Sequence, residues 1–124
     1  MAKARKGFTL IELVVVVLVI GILATIVIAK FINAKESAYV AAMKSDLRNF
    51  AVYEQNYSVD NAGGYFSGNG VAQGFTATPD ITVTATVAAG TPPTWQAVAV
   101  HTRTPKTCSI GTNGNPTSLD ITCP

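Results

Sequence analysis

A continuous apolar block near the N-terminus constrains this chain more than any other feature. It runs for 22 residues from Phe8 to Ala29, and no charged side chain occurs between Leu13 and Ala29. As a helix, such a block is about 33 Å long, enough to cross the hydrocarbon core of a bilayer. The basic residues Lys3, Arg5 and Lys6 precede it, and basic flanks stay in the cytoplasm. The sequence therefore predicts one membrane-spanning helix with its N-terminus in the cytoplasm.

A secretory signal peptide also has a basic start and an apolar core. This block is long for a signal core, and no small-residue cleavage site with a polar mature start follows it. In addition, Glu12 lies inside the block, five residues after Gly7. A carboxylate there is unfavourable in lipid unless it is protonated, reaches the headgroups or is paired. Either Glu12 simply touches the cytoplasmic interface, or it awaits a positive partner from a neighbouring chain.

The segment K-G-F-T-L-I-E-L that opens the block resembles the class III leader of type IV pilins and pseudopilins. In that family a membrane-bound aspartic prepilin peptidase cuts after the glycine and methylates the new N-terminal residue. The resemblance implies cleavage between Gly7 and Phe8, with N-methylation of Phe8. Thr9 and Glu12 match the second and fifth positions of the mature family members.

The resemblance also implies how subunits assemble. The α-amino group that cleavage creates on Phe8 of one subunit pairs with Glu12 of the next, so that two charges compensate each other in an apolar filament core. Gly21 lies where many family members carry a glycine beside helix that unwinds in the filament, and glycine disfavours helix. Many members also have a proline where this chain has Ala29, which leaves two alternatives open, local melting near Gly21 or a straighter helix.

The helical pattern continues past the apolar block. No proline or glycine occurs from Ile22 to Val59, which predicts one helix from about Phe8 to about Tyr57. Its second half has an apolar stripe, with the charged residues expected mostly elsewhere around the axis. The stripe consists of Val40, Met43, Leu47 and Phe50, and the charged residues are Glu36, Lys44, Asp46, Arg48 and Glu54.

The remainder of the chain predicts a small antiparallel sheet that covers the helix stripe. A glycine-rich irregular connection over residues 58–79 precedes it. Expected strands cover residues 81–87, 95–102, 107–110 and 118–122. The predicted fold is α+β and type IV pilin-like. Its predicted segments are a leader (1–7), a membrane and filament-core helix (8–29), an amphipathic helix half (30–57) and a head with the connection, sheet and C-terminal disulfide loop (58–124).

The two cysteines, Cys108 and Cys123, lie near the C-terminus. They are either two unrelated buried thiols or a disulfide. We expect the disulfide, because the N-terminal segment predicts that this part of the chain leaves the cytoplasm. Closing a loop of about 16 residues contributes roughly 3 kcal/mol in the chain-entropy model. Many pilins have a similar C-terminal disulfide loop. A structural zinc site is not expected, because His101 is the only histidine and four ligands are needed.

Charge and residue types argue against several function classes. The net charge is +2, and without the first seven residues six basic residues face seven acidic ones, so no nucleic-acid site is evident. His101 is expected to be a surface residue on a strand. No nucleophile and base suggest themselves as a pair. We therefore expect no catalytic residues, no metal, no cofactor and no enzymatic activity.

The function implied by the resemblance is that of a major pilin, the structural subunit of a type IV pilus. Its expected partners are copies of itself, the prepilin peptidase and methyltransferase, the assembly ATPase and the platform protein. The precursor is expected in the inner membrane and the mature subunit in an extracellular filament. The alternatives are a minor pilin, a type II secretion pseudopilin, or a monomeric single-span protein with a periplasmic binding domain.

Overall fold

The computed structural model of the protein describes residues 7–111 and 120–124. The chain divides into two compact units, one ending at Lys35 and the other, the head, spanning Glu36–Pro124. Helix α1 covers Leu10–Asp60, and the strands are β1 (Ile81–Ala88), β2 (Thr94–His101), β3 (Thr107–Gly111) and β4 (Ile121–Thr122). They form one antiparallel sheet in the order β1-β2-β3-β4. The predicted α+β fold, a long N-terminal helix with a small antiparallel sheet, is confirmed.

The N-terminal unit is helical from Leu10 onward, two residues later than predicted. Its described side chains, from Gly7 to Lys35, are all exposed. Among the described residues, α1 is the one helix that is long and apolar enough to cross a membrane. The helix runs through Gly21 without a break, and its unwinding in a filament stays a prediction. Residues 1–6, most of the predicted leader, lie outside the described part of the chain.

The predicted stripe on the second half of α1 forms the centre of the head's core. Met43, Leu47 and Phe50 are fully buried, and Val40 packs against them at the edge. Burying side chains of this size contributes about 1.5–3 kcal/mol each. The spacing of three and four residues between these apolar positions therefore predicted the buried face of the helix correctly.

The connection between α1 and β1, residues 61–79, is less irregular than predicted. It places Phe66 and Phe75 in the core, where both rings contact Phe50 with centroid separations of 5.4 and 5.0 Å. A short 3₁₀ turn, Val71–Gln73, lies between these two phenylalanines. Glycine-rich composition indicated a loop but gave no sign of these two anchors.

The first two strands alternate between buried and exposed side chains, as expected for a sheet with one covered face. On β1, Ile81, Val83 and Ala85 are buried while the intervening threonines are exposed. Ala85 lies opposite Ala97 of β2, and β2 buries the face that carries Trp95. Strand β1 extends one residue past its predicted end, and β2 begins and ends one residue earlier than predicted.

The C-terminal hairpin is held by a disulfide. Cys108 on β3 is bonded to Cys123, with their Cα atoms 4.2 Å apart, so the expected bridge is present and the two-thiol alternative is wrong. Next to it, the hydroxyls of Ser109 and Thr122 lie 3.1 Å apart, within hydrogen-bond distance. The predicted last strand, 118–122, is described only from residue 120, where β4 is two residues long. The turn that precedes it lies outside the described residues.

Two acidic residues of α1 occupy positions that the sequence did not predict. Asp46 and Glu54 were expected to lie away from the apolar stripe, but both are buried, with 4% and 0% of their surfaces exposed. The Asp46 carboxylate accepts hydrogen bonds from the backbone N–H and the hydroxyl of Thr78, at 2.8 and 2.9 Å. Because its partner is 32 positions away in sequence, helical periodicity contains no signal for this burial.

The prediction that His101 is a surface residue is wrong. Only 8% of its surface is exposed, and its ring packs against Tyr39 with a centroid separation of 4.3 Å. Its Nδ1 accepts a hydrogen bond from the backbone N–H of Arg103 at 3.0 Å. The reason is the strand period, which places residue 101 on the same face as the buried Ala97 and Ala99.

Candidate assembly site at the N-terminus of the helix

The N-terminus of α1 is closed by a reciprocal pair of side chains. The Glu12 carboxylate, through Oε2, accepts hydrogen bonds from the backbone N–H and the hydroxyl of Thr9, both at 2.9 Å. The Thr9 hydroxyl in turn accepts the backbone N–H of Glu12 at 3.3 Å. This is a capping box, in which the residue before the helix and the third helical residue each satisfy the other's free backbone donor. Thr9 and Glu12 therefore act together within one chain.

The pattern Thr-x-x-Glu that builds this box is visible in the sequence at residues 9–12. Glu12 was singled out as a charge inside the apolar block and Thr9 through the resemblance, and neither observation predicted their mutual contact. A capping-box search would have found it and would have predicted a helix start at Leu10, where it occurs.

The predicted cleavage point lies just outside this cap. Gly7, Phe8 and Thr9 are not helical, and Phe8 exposes 89% of its surface. An exposed peptide outside regular structure is where proteolytic cutting concentrates. The capping box therefore marks a boundary between an accessible peptide bond, Gly7–Phe8, and the helix that follows it.

The Glu12 carboxylate retains capacity for a further partner. Its Oε2 atom is used twice by Thr9, whereas an ionised carboxylate offers about four acceptor positions on two oxygens. An ammonium group that approaches it can bind without displacing Thr9. In chemical terms the site is an anion at the tip of an apolar helix.

The surroundings of this site are apolar and unpacked. Large side chains along α1 from Leu10 to Ile32 expose about half or more of their surfaces. No atom beyond the local helix backbone lies within 4 Å of a Cβ built on Gly21, so packing within the chain does not require a glycine there. A contiguous exposed apolar surface of this size marks a site for lipid or for other proteins.

The described residues contain no group of three or more His, Cys, Asp or Glu side chains that could hold a metal ion. His101 is occupied by Tyr39 and Arg103, and the two cysteines are bonded to each other. The head also contains two exposed ion pairs, Lys106 with Glu36 at 3.6 Å and Arg103 with Asp80 at 3.1 Å. The N-terminus of α1 is therefore the site with the most distinctive chemistry.

Comparison with known proteins agrees with this location. Residues 2–28 match the family described as the prokaryotic N-terminal methylation motif. The chain is 37% identical over 59 residues to type II secretion system core protein G of Pseudomonas aeruginosa, covering 48% of this chain and 42% of that protein. It is 34% identical over 59 residues to the type IV wide pilus major component PilA4 of Thermus thermophilus, covering 48% and 45%.

A second type II secretion system core protein G, from Dickeya chrysanthemi, is 32% identical over 62 residues, or 50% of this chain and 40% of that protein. The chain thus spans less than half the length of the curated relatives it matches. No solved structure matches it. Residues 2–28 thus carry the prokaryotic N-terminal methylation motif, and about half of the chain is similar to a type IV pilus component and to type II secretion core proteins.

Proposed function

We propose that the protein is the major pilin of a type IV pilus. In this proposal the precursor is held in the inner membrane by residues 8–29. A prepilin peptidase cuts between Gly7 and Phe8 and methylates Phe8, and an assembly ATPase and platform protein then build the subunit into an extracellular filament. The observation that carries the proposal is the capping box of Thr9 and Glu12 beside an exposed Gly7–Phe8 peptide bond, at the tip of an apolar helix.

Cleavage creates the positively charged group that can pair with the Glu12 carboxylate. Hydrolysis of the Gly7–Phe8 bond releases an ammonium group on Phe8, four residues before Glu12 in sequence. Glu12 of one subunit then pairs with Phe8 of the next, while Thr9 keeps the carboxylate oriented. An ion pair in an apolar setting contributes mainly to specificity, since removing one partner leaves an uncompensated charge. The pair therefore fixes the register between subunits.

The apolar helix supplies the association energy. Its described side chains, from Gly7 to Lys35, are all exposed, and an apolar surface of this size is stable only when lipid or other chains cover it. When the helix moves from the bilayer into a bundle of helices, its side chains exchange one apolar environment for another, so little hydrophobic burial is lost. Gly21, which no contact within the chain requires, is the candidate point of helix melting during this exchange.

A type II secretion pseudopilin is the second candidate, and the similarity to core protein G favours it. A minor pilin is a variant of the first proposal. Protein sheared from the cell surface distinguishes them by intact mass and N-terminal sequencing. An abundant chain that begins at methylated Phe8 supports the major pilin. A processed chain absent from the sheared fraction supports a pseudopilin or minor pilin, and an unprocessed chain found only in membranes contradicts the proposal.

The register role of Glu12 is tested separately with Glu12→Gln. The amide keeps an oxygen that accepts the Thr9 hydrogen bonds but carries no charge. Processing is expected to continue while filament yield falls by at least tenfold. Glu36→Gln is the matched control, because Glu36 is an acid on the same helix, outside the apolar block, and filament yield should be unchanged. Normal filaments from Glu12→Gln would contradict the pairing.

A further inference from the structure

Glu54 is a buried carboxyl group that the filament chemistry does not use. It lies on α1 with 0% of its surface exposed. Its Oε2 accepts one hydrogen bond, from the backbone N–H of Phe66 in the connection, at 3.2 Å. Its Oε1 is buried and has no hydrogen-bond partner among the described residues. A carboxylate in this state is strongly unfavourable, because one oxygen has lost its water and gained no donor.

Aromatic rings surround this group. Phe50 and Tyr57 lie one turn before and after it on α1, and the Phe66 ring contacts both, with centroid separations of 5.4 and 5.3 Å. The single hydrogen bond from Phe66 and these ring contacts join the connection to the helix at this point. The connection is therefore held to α1 next to a titratable group.

In the part of the chain that the structure describes, no ion pair involves Glu54. The titratable groups nearest in the chain are the phenols of Tyr53 and Tyr57 on α1, and the connection contributes the phenol of Tyr65. The closest charged residues along α1, Arg48 and Asp60, are six positions away on either side and exposed. The sequences of β1, β3, β4 and residues 112–119 contain no ionisable group apart from the bonded Cys108. On β2 the one such group, His101, packs against Tyr39, about four helical turns from Glu54.

Burial without a cation favours the neutral acid. Desolvation raises the pKa of Glu54 from its ordinary value of 4.5 to about 7, although the hydrogen bond from the Phe66 N–H acts in the opposite direction. When the connection opens and water reaches the carboxyl group, its pKa returns to the ordinary range. The closed state therefore binds the proton more tightly than the open state.

We propose that Glu54 is a pH-dependent latch for the connection, residues 61–79: protonated Glu54 holds the connection closed against α1, and ionised Glu54 favours its opening. The neutral acid accepts the Phe66 N–H without leaving a charge buried. The anion requires water at Oε1, and water enters when Phe66 leaves the core. The carboxyl group loses its proton near pH 7 in the closed state and near pH 4.5 in the open state. The opening constant therefore rises mainly between these two pH values and is nearly constant above about pH 7.

Hydrogen exchange of the Phe66 amide, measured on the full chain in a non-ionic detergent, tests the latch. After correction for the pH dependence of the intrinsic exchange rate, the opening constant is expected to rise about thirtyfold between pH 5.5 and 8.5. Amides in the centre of β2 should change much less, which distinguishes local opening from unfolding. In Glu54→Gln the rise should disappear. Glu36→Gln, which neutralises a partly exposed acid on the same helix, should retain it.

An opening constant for Phe66 that is independent of pH in the natural sequence would overturn the proposal, as would the same rise in Glu54→Gln. If the glutamine variant does not fold, Glu54→Met provides an apolar side chain of similar length. It is expected to give pH-independent protection of Phe66, and a retained thirtyfold rise in that variant would also contradict the latch. None of these measurements depends on filament formation, so they test the latch independently of the proposed function.

Discussion

Replacing Gly70 with alanine is expected to destabilise the head by about 3 kcal/mol. Gly70 is buried, with a φ of 73°, immediately before the 3₁₀ turn of the connection. A Cβ at this position would lie 2.9 Å from Cε2 of Phe50, 3.1 Å from Cβ of Phe75 and 3.4 Å from Cε2 of Phe66. The three phenylalanines that form the aromatic core thus close directly onto the glycine Cα.

Two effects contribute to this magnitude. A left-handed backbone conformation costs about 1–2 kcal/mol for a residue with a Cβ. Inserting a methyl group into a packed core costs about 1–3 kcal/mol more, because the Cβ of Phe75 cannot move without its backbone. Gly63 isolates the first effect. Its φ is 86° and nothing lies within 4 Å of a Cβ built on it, so Gly63→Ala should cost only about 1–2 kcal/mol.

Urea unfolding of the full chain in non-ionic detergent measures both variants, with the fluorescence of Trp95 as the signal. Trp95 is the only tryptophan, and it is 6% exposed next to the ring of Phe50, so its emission reports the aromatic core. Gly70→Ala should lower the free energy of unfolding by about 1–3 kcal/mol more than Gly63→Ala. Equal losses in the two variants would refute the inference that the core closes on Gly70.

Three further outcomes are expected in the same unfolding assay. Reducing the Cys108–Cys123 bond should lower the free energy of unfolding by roughly 3 kcal/mol, because the unfolded chain regains the entropy of a loop of about 16 residues. A loss below about 1 kcal/mol would show that the reduced hairpin retains its structure. Asp46→Ala should cost about 2–3 kcal/mol, because the N–H and hydroxyl of Thr78 lose a charged acceptor, and a neutral effect would contradict that bond. Lys106→Ala removes an exposed ion pair and should change the free energy by less than about 1 kcal/mol, so a larger loss would require a contact other than the ion pair.

The sequence predicted those parts of the fold that depend on local periodicity. The absence of breakers from Ile22 to Val59 indicated one long helix, and the spacing of Met43, Leu47 and Phe50 identified its buried face. Alternation in β1 identified the strand and its inward residues. In each case the physical signal repeats every two to four residues, so a single sequence contains it in full.

Contacts between distant positions were not predictable in this way. Glu54 and Phe66 meet because the connection folds back on α1, and neither residue's neighbours in sequence indicate the contact. The same holds for Asp46 with Thr78. At the candidate site the failure was different, since Thr9 and Glu12 form a local motif. Their resemblance to a family signature predicts pairing between chains, whereas the capping box is a contact within one chain.

The two edges of the sheet differ in a way that matters for crowded subunits. An exposed edge strand offers unpaired backbone groups to which another chain can add, which leads to aggregation. On β1, Ala85 exchanges both of its backbone hydrogen bonds with Gly68, at 2.8 and 2.9 Å. The N–H groups of Ile81 and Val87 are taken by Thr78 and by the hydroxyl of Ser67.

At the opposite edge, β4 extends over only two residues and is fastened by the adjoining disulfide. One edge is therefore largely occupied and the other is too short to serve as a template. Heads packed at the high local concentration of a membrane patch or a polymer can touch without their sheets merging. In the proposed filament, association is thereby left to the helix, where its register can be controlled.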